Sequence, residues 1–220
     1  MTEPAALQKL LTWLSPAFPV GAFAWSAGLE TAIAQRRVTV SQTLRNWLDG
    51  ALSHGGIRTE AIMLRHAFGA TTDATSLCDL ADLYLALIPS AERTAETLMT
   101  GDAFAIAARA WPSDVFTRLP DPCPYPIAVG AIAAAHGIPL TETLIGFLTA
   151  LVHGQVSVAV RLVPLGQTAG LQVMAALEPQ IAALAQFAES ATLEDLGSIA
   201  YAADIAQMRH ETLEPRIFRS

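Results

Sequence analysis

Apolar residues return at helical spacing along almost the entire chain, and this periodicity restricts the fold more than any other feature. Ala6, Leu7, Leu10, Leu11 and Leu14 share one helical face before Pro16 stops the run. Ser41 is expected as the N-cap of a helix carrying Leu44, Trp47, Leu48, Ala51 and Leu52 on one face, with Gly55-Gly56 as its stop. A helix is also expected to begin near Leu29 with Ser26 as its cap. Comparable runs cover 57–68, 75–87, 90–111, 125–136, 141 to about 162, 168–177, 179–188 and 193–208. Only "VSVAVRLV" has enough β-branched residues to compete with a helical frame, and the helical frame is favoured there too. The expectation is an all-α, single-domain helical bundle of about nine or ten helices over residues 1–220. A chain of 220 residues is long enough to bury roughly 70% of its unfolded surface without staples.

The connections are short apart from "SPAFPVGAFAWSAG" and "WPSDVFTRLPDPCPYP", both rich in proline and glycine. The second, 111–126, could link two halves. One stretch invites a membrane reading: "TLIGFLTALVHGQVSVAV" is uncharged from Thr143 to Val160. His153, Gln155, Ser157 and two glycines interrupt it, so a buried core helix is expected, with His153 as a satisfied core residue. Glu3 and the lack of a basic leader region argue against a signal peptide, and the expected location is cytoplasmic.

Charge narrows the function. The formal net charge is -7, and from Leu119 to Met208 Arg161 is the only basic residue, which argues against nucleic acid. Charged residues are only 15% of the chain against 52% apolar, which leaves little polar material to cover the outside. Apolar faces covered by partners would account for part of that surplus. The final twelve residues, "RHETLEPRIFRS", reverse the local sign with Arg209, Arg216 and Arg219 around Ile217 and Phe218. Two readings of residues 208–220 follow: a strap docked on the body, or an anchor for a partner, since arginine and aromatic residues dominate interface hot spots.

Catalytic signatures are missing. Lys9 is the only lysine, and no phosphate-binding loop or H-E-x-x-H motif occurs. His54, His66, His136, His153 and His210 are scattered without metal-ligand spacing, and lone ligands such as His210 or Cys123 make poor metal sites. Cys78 and Cys123 show no paired motif. "AWSAG" lacks the preceding strand that a nucleophile elbow needs. Glu92 and Glu96, at helical spacing, are expected on a solvated face. No catalytic residue, metal ligand or cofactor is expected.

"SPAFPVGAFAWSAGLE", "VSVAVRLVPLGQ" and "MRHETLEPRIFRS" resemble, in order and spacing, three signature regions of the urease accessory protein UreF family. The resemblance runs from Leu10 to Ser220. It implies an all-α protein without catalytic activity that dimerises and binds a second accessory protein, UreD (also called UreH). It further implies recruitment of the nickel-carrying GTPase UreG to apo-urease, with modulation of GTP hydrolysis. A partner-binding role is thereby implied for Arg209, His210, Glu211, Thr212, Arg216, Phe218, Arg219 and Ser220. A similar role is implied for Pro19, Gly21, Phe23, Ser26, Gly28 and Glu30. Ala24 and Trp25, and Glu214 and Pro215, depart from the residues that family members often carry there. The other readings are a small helical enzyme of unknown chemistry and a membrane-associated helical protein.

Overall fold

The computed structural model describes residues 3–220. Among the described residues ten α-helices follow one another: α1 (Pro4–Trp13), α2 (Leu29–Ala34), α3 (Ser41–His54), α4 (Gly56–Gly69), α5 (Ala74–Ala86), α6 (Ala91–Ala108), α7 (Tyr125–Ala135), α8 (Leu140–Leu162), α9 (Gly166–Ser190) and α10 (Tyr201–His210). No β-strand occurs among the described residues. The all-α expectation holds, and residues 156–162 are helical as expected.

Boundaries differ where local chemistry intervenes. Val40, not Ser41, is the cap of α3, because the Thr43 hydroxyl folds back to accept the amides of Thr39 and Val40 at 2.9 and 3.1 Å. The runs 168–177 and 179–188 are one 25-residue helix, α9, which continues through Pro179. A proline inside a helix forfeits one hydrogen bond. Packing of α9 against both α8 and α3 holds it continuous. Residues 193–200 are not the start of the last helix. Leu193–Asp195 form a single 3-10 turn closed by Asp195 on the Thr192 amide, and Gly197 then takes a positive φ of 132°.

The core lies where α7 crosses α4 and α6. Its sequence, YPIAVGAIAAA, is apolar on every side, and Ile127 to Ala133 are buried throughout. Gly130 lets α7 approach so closely that a Cβ there would run into the Leu64 carbonyl of α4. The helix α8 is long and apolar enough to cross a membrane by length and composition, with mean hydropathy 1.6. It instead buries Leu144, Phe147, Leu148, Val152, Val156 and Ala159 inside the molecule, against α9, α2 and α4. His153 corrects its expected place, being exposed on the opposite side of that helix. Residues 111–126 strap α6 to α7 rather than linking halves. Val115 and Cys123 are buried, the Cys123 amide donates to Asp102 at 2.8 Å, and Arg118 donates to the Thr71 carbonyl at 3.0 Å. Both cysteines are free.

Two half-buried histidines give the fold an acid-sensitive component. Burial lowers His66 and His136 below their ordinary value of 6.5, and Arg65 and Lys9 beside them push the same way. The unfolded chain then binds protons more readily than the folded one. Stability contributed by the neutral rings is present above about pH 6.5 and lost as pH falls below it. Burial raises Glu60 and Asp204, which act in the opposite sense. Thermal melts at pH 7.5, 6.5 and 5.5 should show a falling midpoint, and a His66→Gln/His136→Gln variant should show a shallower fall. Equal slopes would remove these rings from the account.

Candidate partner-binding surface

The two segments flanking the ends of the fold meet on one carboxylate. Gly28, at φ 79°, starts α2 so close to α10 that a Cβ would stand 2.7 Å from the Gln207 backbone nitrogen. That entry turns Glu30 inward, where it is only 6% exposed. A buried carboxylate requires donors. The tail supplies three: the Ile217 amide at 2.7 Å, the Phe218 amide at 2.9 Å and His210 Nε2 at 3.0 Å. His210 ends α10 with its ring fully buried, and its Nδ1 lies 2.7 Å from a Glu92 oxygen on α6. The second Glu92 oxygen accepts from Arg216.

Beyond Phe218 the tail runs along residues 24–27. The Arg219 amide donates to the Ala24 carbonyl at 2.9 Å, and the Ser26 amide donates to the Ser220 main-chain oxygen at 2.9 Å. The Ser26 hydroxyl donates to that same oxygen. The Ser220 hydroxyl accepts from the Ala27 amide at 3.1 Å and donates to Glu96 at 2.9 Å. The Arg161 guanidinium lies 4.7 Å from the centre of the Phe218 ring and donates to the Phe23 carbonyl at 3.3 Å. It thereby ties α8 to both segments. Arg219 lies over Trp25 at 5.5 Å, so the departure at position 25 provides the platform for a tail guanidinium.

The singled-out residues form one constellation with two sides. Ser26, Gly28, Glu30, His210, Phe218 and Ser220 face inward and are buried within the chain's own fold. Pro19, Phe23, Arg209, Glu211, Thr212, Arg216 and Arg219 face outward, together with Ile217. Phe23 is 75% exposed and Ile217 78%. Gly21, at φ 72°, forms the bend that presents Phe23. The strap reading holds for part of the tail only. Phe218 is the dock, while Ile217 is exposed instead of docking beside it.

Three corrections follow from the packing. Ser26 is not the cap of α2; Gly28 holds that position, although the Ser26 hydroxyl still accepts the Glu30 amide at 3.3 Å. Glu92 and Glu96 are not on a solvated face, their side chains being 17% and 14% exposed and facing the tail. Arg161, visible in the sequence only as an isolated basic residue, proves to be a strut. Beneath the constellation, Arg93 pairs with Glu60 and Glu96. Burial works against the Arg93 charge, but the two carboxylates outweigh it and hold the guanidinium well above its usual range. Burial also raises the Cys123 thiol, which disfavours the metal-binding thiolate. No group of three or more metal-ligating side chains converges among the described residues.

The UreF family profile matches residues 38–178. A urease accessory protein UreF of Agrobacterium fabrum is 49% identical over 216 residues, covering 98% of this chain and 97% of that protein. UreF proteins of Rhizobium etli and Rhodopseudomonas palustris are each 48% identical over 99% of this chain, covering 98% and 94% of their own lengths. These relatives are named as accessory proteins and not as enzymes. With an all-helical fold and similarity along nearly its full length, the chain belongs to the UreF family of urease accessory proteins.

Proposed function

We propose that this chain is an assembly chaperone that works by contact, through the composite surface of the 19–30 loop and the 209–220 tail. Together with UreD (UreH) it recruits the GTPase UreG to apo-urease for nickel insertion and modulates GTP hydrolysis there. It does so as a homodimer in the cytoplasm and has no catalytic chemistry of its own. One observation carries this reading. The buried half of the constellation holds the outward half in place, so that Phe23, Ile217, Arg209 and Arg219 project from a body that is otherwise acidic. Exposed aromatic, aliphatic and guanidinium groups on a fixed backbone are typical of interface anchors.

Phe23 and Arg219 are suited to the test because replacing exposed side chains usually changes stability by less than about 0.5 kcal/mol. Truncating an arginine that becomes desolvated in a complex costs about 2–5 kcal/mol of binding. A Phe23→Ala/Arg219→Ala variant should therefore melt close to wild type while recovering UreD at least about tenfold less well in co-purification. Recovery equal to wild type would defeat the assignment.

A further inference from the structure

One cavity has buried acceptors in its wall that no donor reaches. Its volume is about 70 Å³, and Glu60 of α4, Tyr84 of α5, Arg93 of α6, Ser198, and Asp204 and Gln207 of α10 line it. A single water needs at least about 10–15 Å³, so there is room for an ion with part of its hydration shell. Glu60 and Gln207 are only 2% and 9% exposed. Glu60 Oε2 and Gln207 Oε1 have no hydrogen-bond partner among the described residues. Buried acceptors cost free energy until a donor or a cation meets them. The charged donor in the wall is already committed: Arg93 pairs with the other Glu60 oxygen and with Glu96, the latter at 2.9 Å. The Ser198 hydroxyl donates to Asp204 at 3.1 Å. Tyr84 stands near Glu60 without closing a hydrogen bond on Oε2.

Charge favours a cation over water in this space. Glu60, Glu96 and Asp204 bring three negative charges and Arg93 one positive charge, which leaves two negative charges uncompensated. Arg58, beside the cavity residue Thr59, is turned to the Asp195 carbonyl and the Phe187 ring. Calcium takes about six to eight oxygens and magnesium a strict octahedron. No group of three or more metal-ligating side chains converges among the described residues, so neither ion is matched. A monovalent ion needs less charge and accepts amide, carboxylate and water oxygens together. We propose that this cavity is a monovalent-cation site of potassium type, with Glu60 Oε2 and Gln207 Oε1 as its fixed ligands and Asp204 as the additional charge. An ion there joins α4 to α10, the helix that leads into the tail. The site stands apart from the outward residues of the partner-binding surface, and its test does not depend on what that surface binds.

Two measurements on the full chain decide the matter, with potassium and its heavier analogue rubidium as probes. At fixed ionic strength, replacing tetramethylammonium by potassium should raise the thermal midpoint by about 3–6 °C once potassium reaches about ten times its dissociation constant. Crystals grown with rubidium chloride should show an anomalous peak between Glu60 and Gln207. Gln207→Met keeps the Cγ beside Gly28 and leaves the Glu60–Arg93 pair intact, but removes the amide oxygen. It should melt cooperatively in tetramethylammonium and lose the potassium shift. A wild-type midpoint that does not distinguish the two cations would overturn the site. So would rubidium crystals with only water in the cavity, or a Gln207→Met variant that keeps the full shift.

Discussion

Glu30→Ala is expected to release the tail. Three donors lose their acceptor at once: the amides of Ile217 and Phe218, and His210 Nε2. Removing one partner of a buried ionic network costs about 3–5 kcal/mol when the remaining groups stay buried. Here they need not stay buried. The tail can swing into water, so the loss of global stability is capped by the free energy of undocking. The clearest readouts are accordingly local: collapse of amide protection at 217 and 218, and faster tryptic cleavage after Arg216. Glu30→Gln should fare little better than alanine, although it is isosteric. Glu30 uses both oxygens as acceptors, whereas glutamine would place an NH2 group against a backbone N–H. Full protection of the tail in the glutamine variant would show that the carboxylate is not the organising group.

The second large effect is expected in the core. Gly130→Leu inserts a side chain where even a Cβ would strike the Leu64 carbonyl and crowd the Phe68 nitrogen. Both are backbone atoms of α4, so no rotamer change relieves the clash, and the two most heavily packed helices must part. Overpacking costs about 1–3 kcal/mol when side chains can yield. A collision with backbone belongs in the rarer class above about 4 kcal/mol, equivalent to roughly 8–16 °C in midpoint for a chain of this size. Gly154→Ala provides the contrast. It is also a glycine inside a helix, with open space around its added Cβ, and should stabilise by about 0.5–1 kcal/mol. Similar midpoints for the two variants would show that close approach does not explain Gly130.

Much of the fold was legible because burial imposes its period on the sequence. The face carrying Leu44, Leu48 and Leu52 is the buried face of α3, and the apolar run at 125–136 is the central helix α7. Residues 179–188 misled because proline is a rule about local hydrogen bonds, whereas α9 is held by its neighbours on both sides. In the constellation, resemblance pointed to two segments that the fold brings together, but not to their two sides. Nothing near Glu92 in sequence announces a histidine 118 positions away, and nothing near Glu30 announces the tail amides. Both carboxylates look like ordinary helical surface until the chain is folded. Arg161 stood out as an isolated charge, yet its contacts with Phe23 and Phe218 depend on α8 passing beneath both.

The bonds between Ser26 and Ser220 span 194 positions. During synthesis the first half of that surface waits while the 194 positions that separate it from Ser220 are made. Glu30 cannot meet its amide donors until residues 217 and 218 have emerged. A factor that reads the completed surface would therefore not recognise a chain in which residues 217 and 218 have yet to reach Glu30.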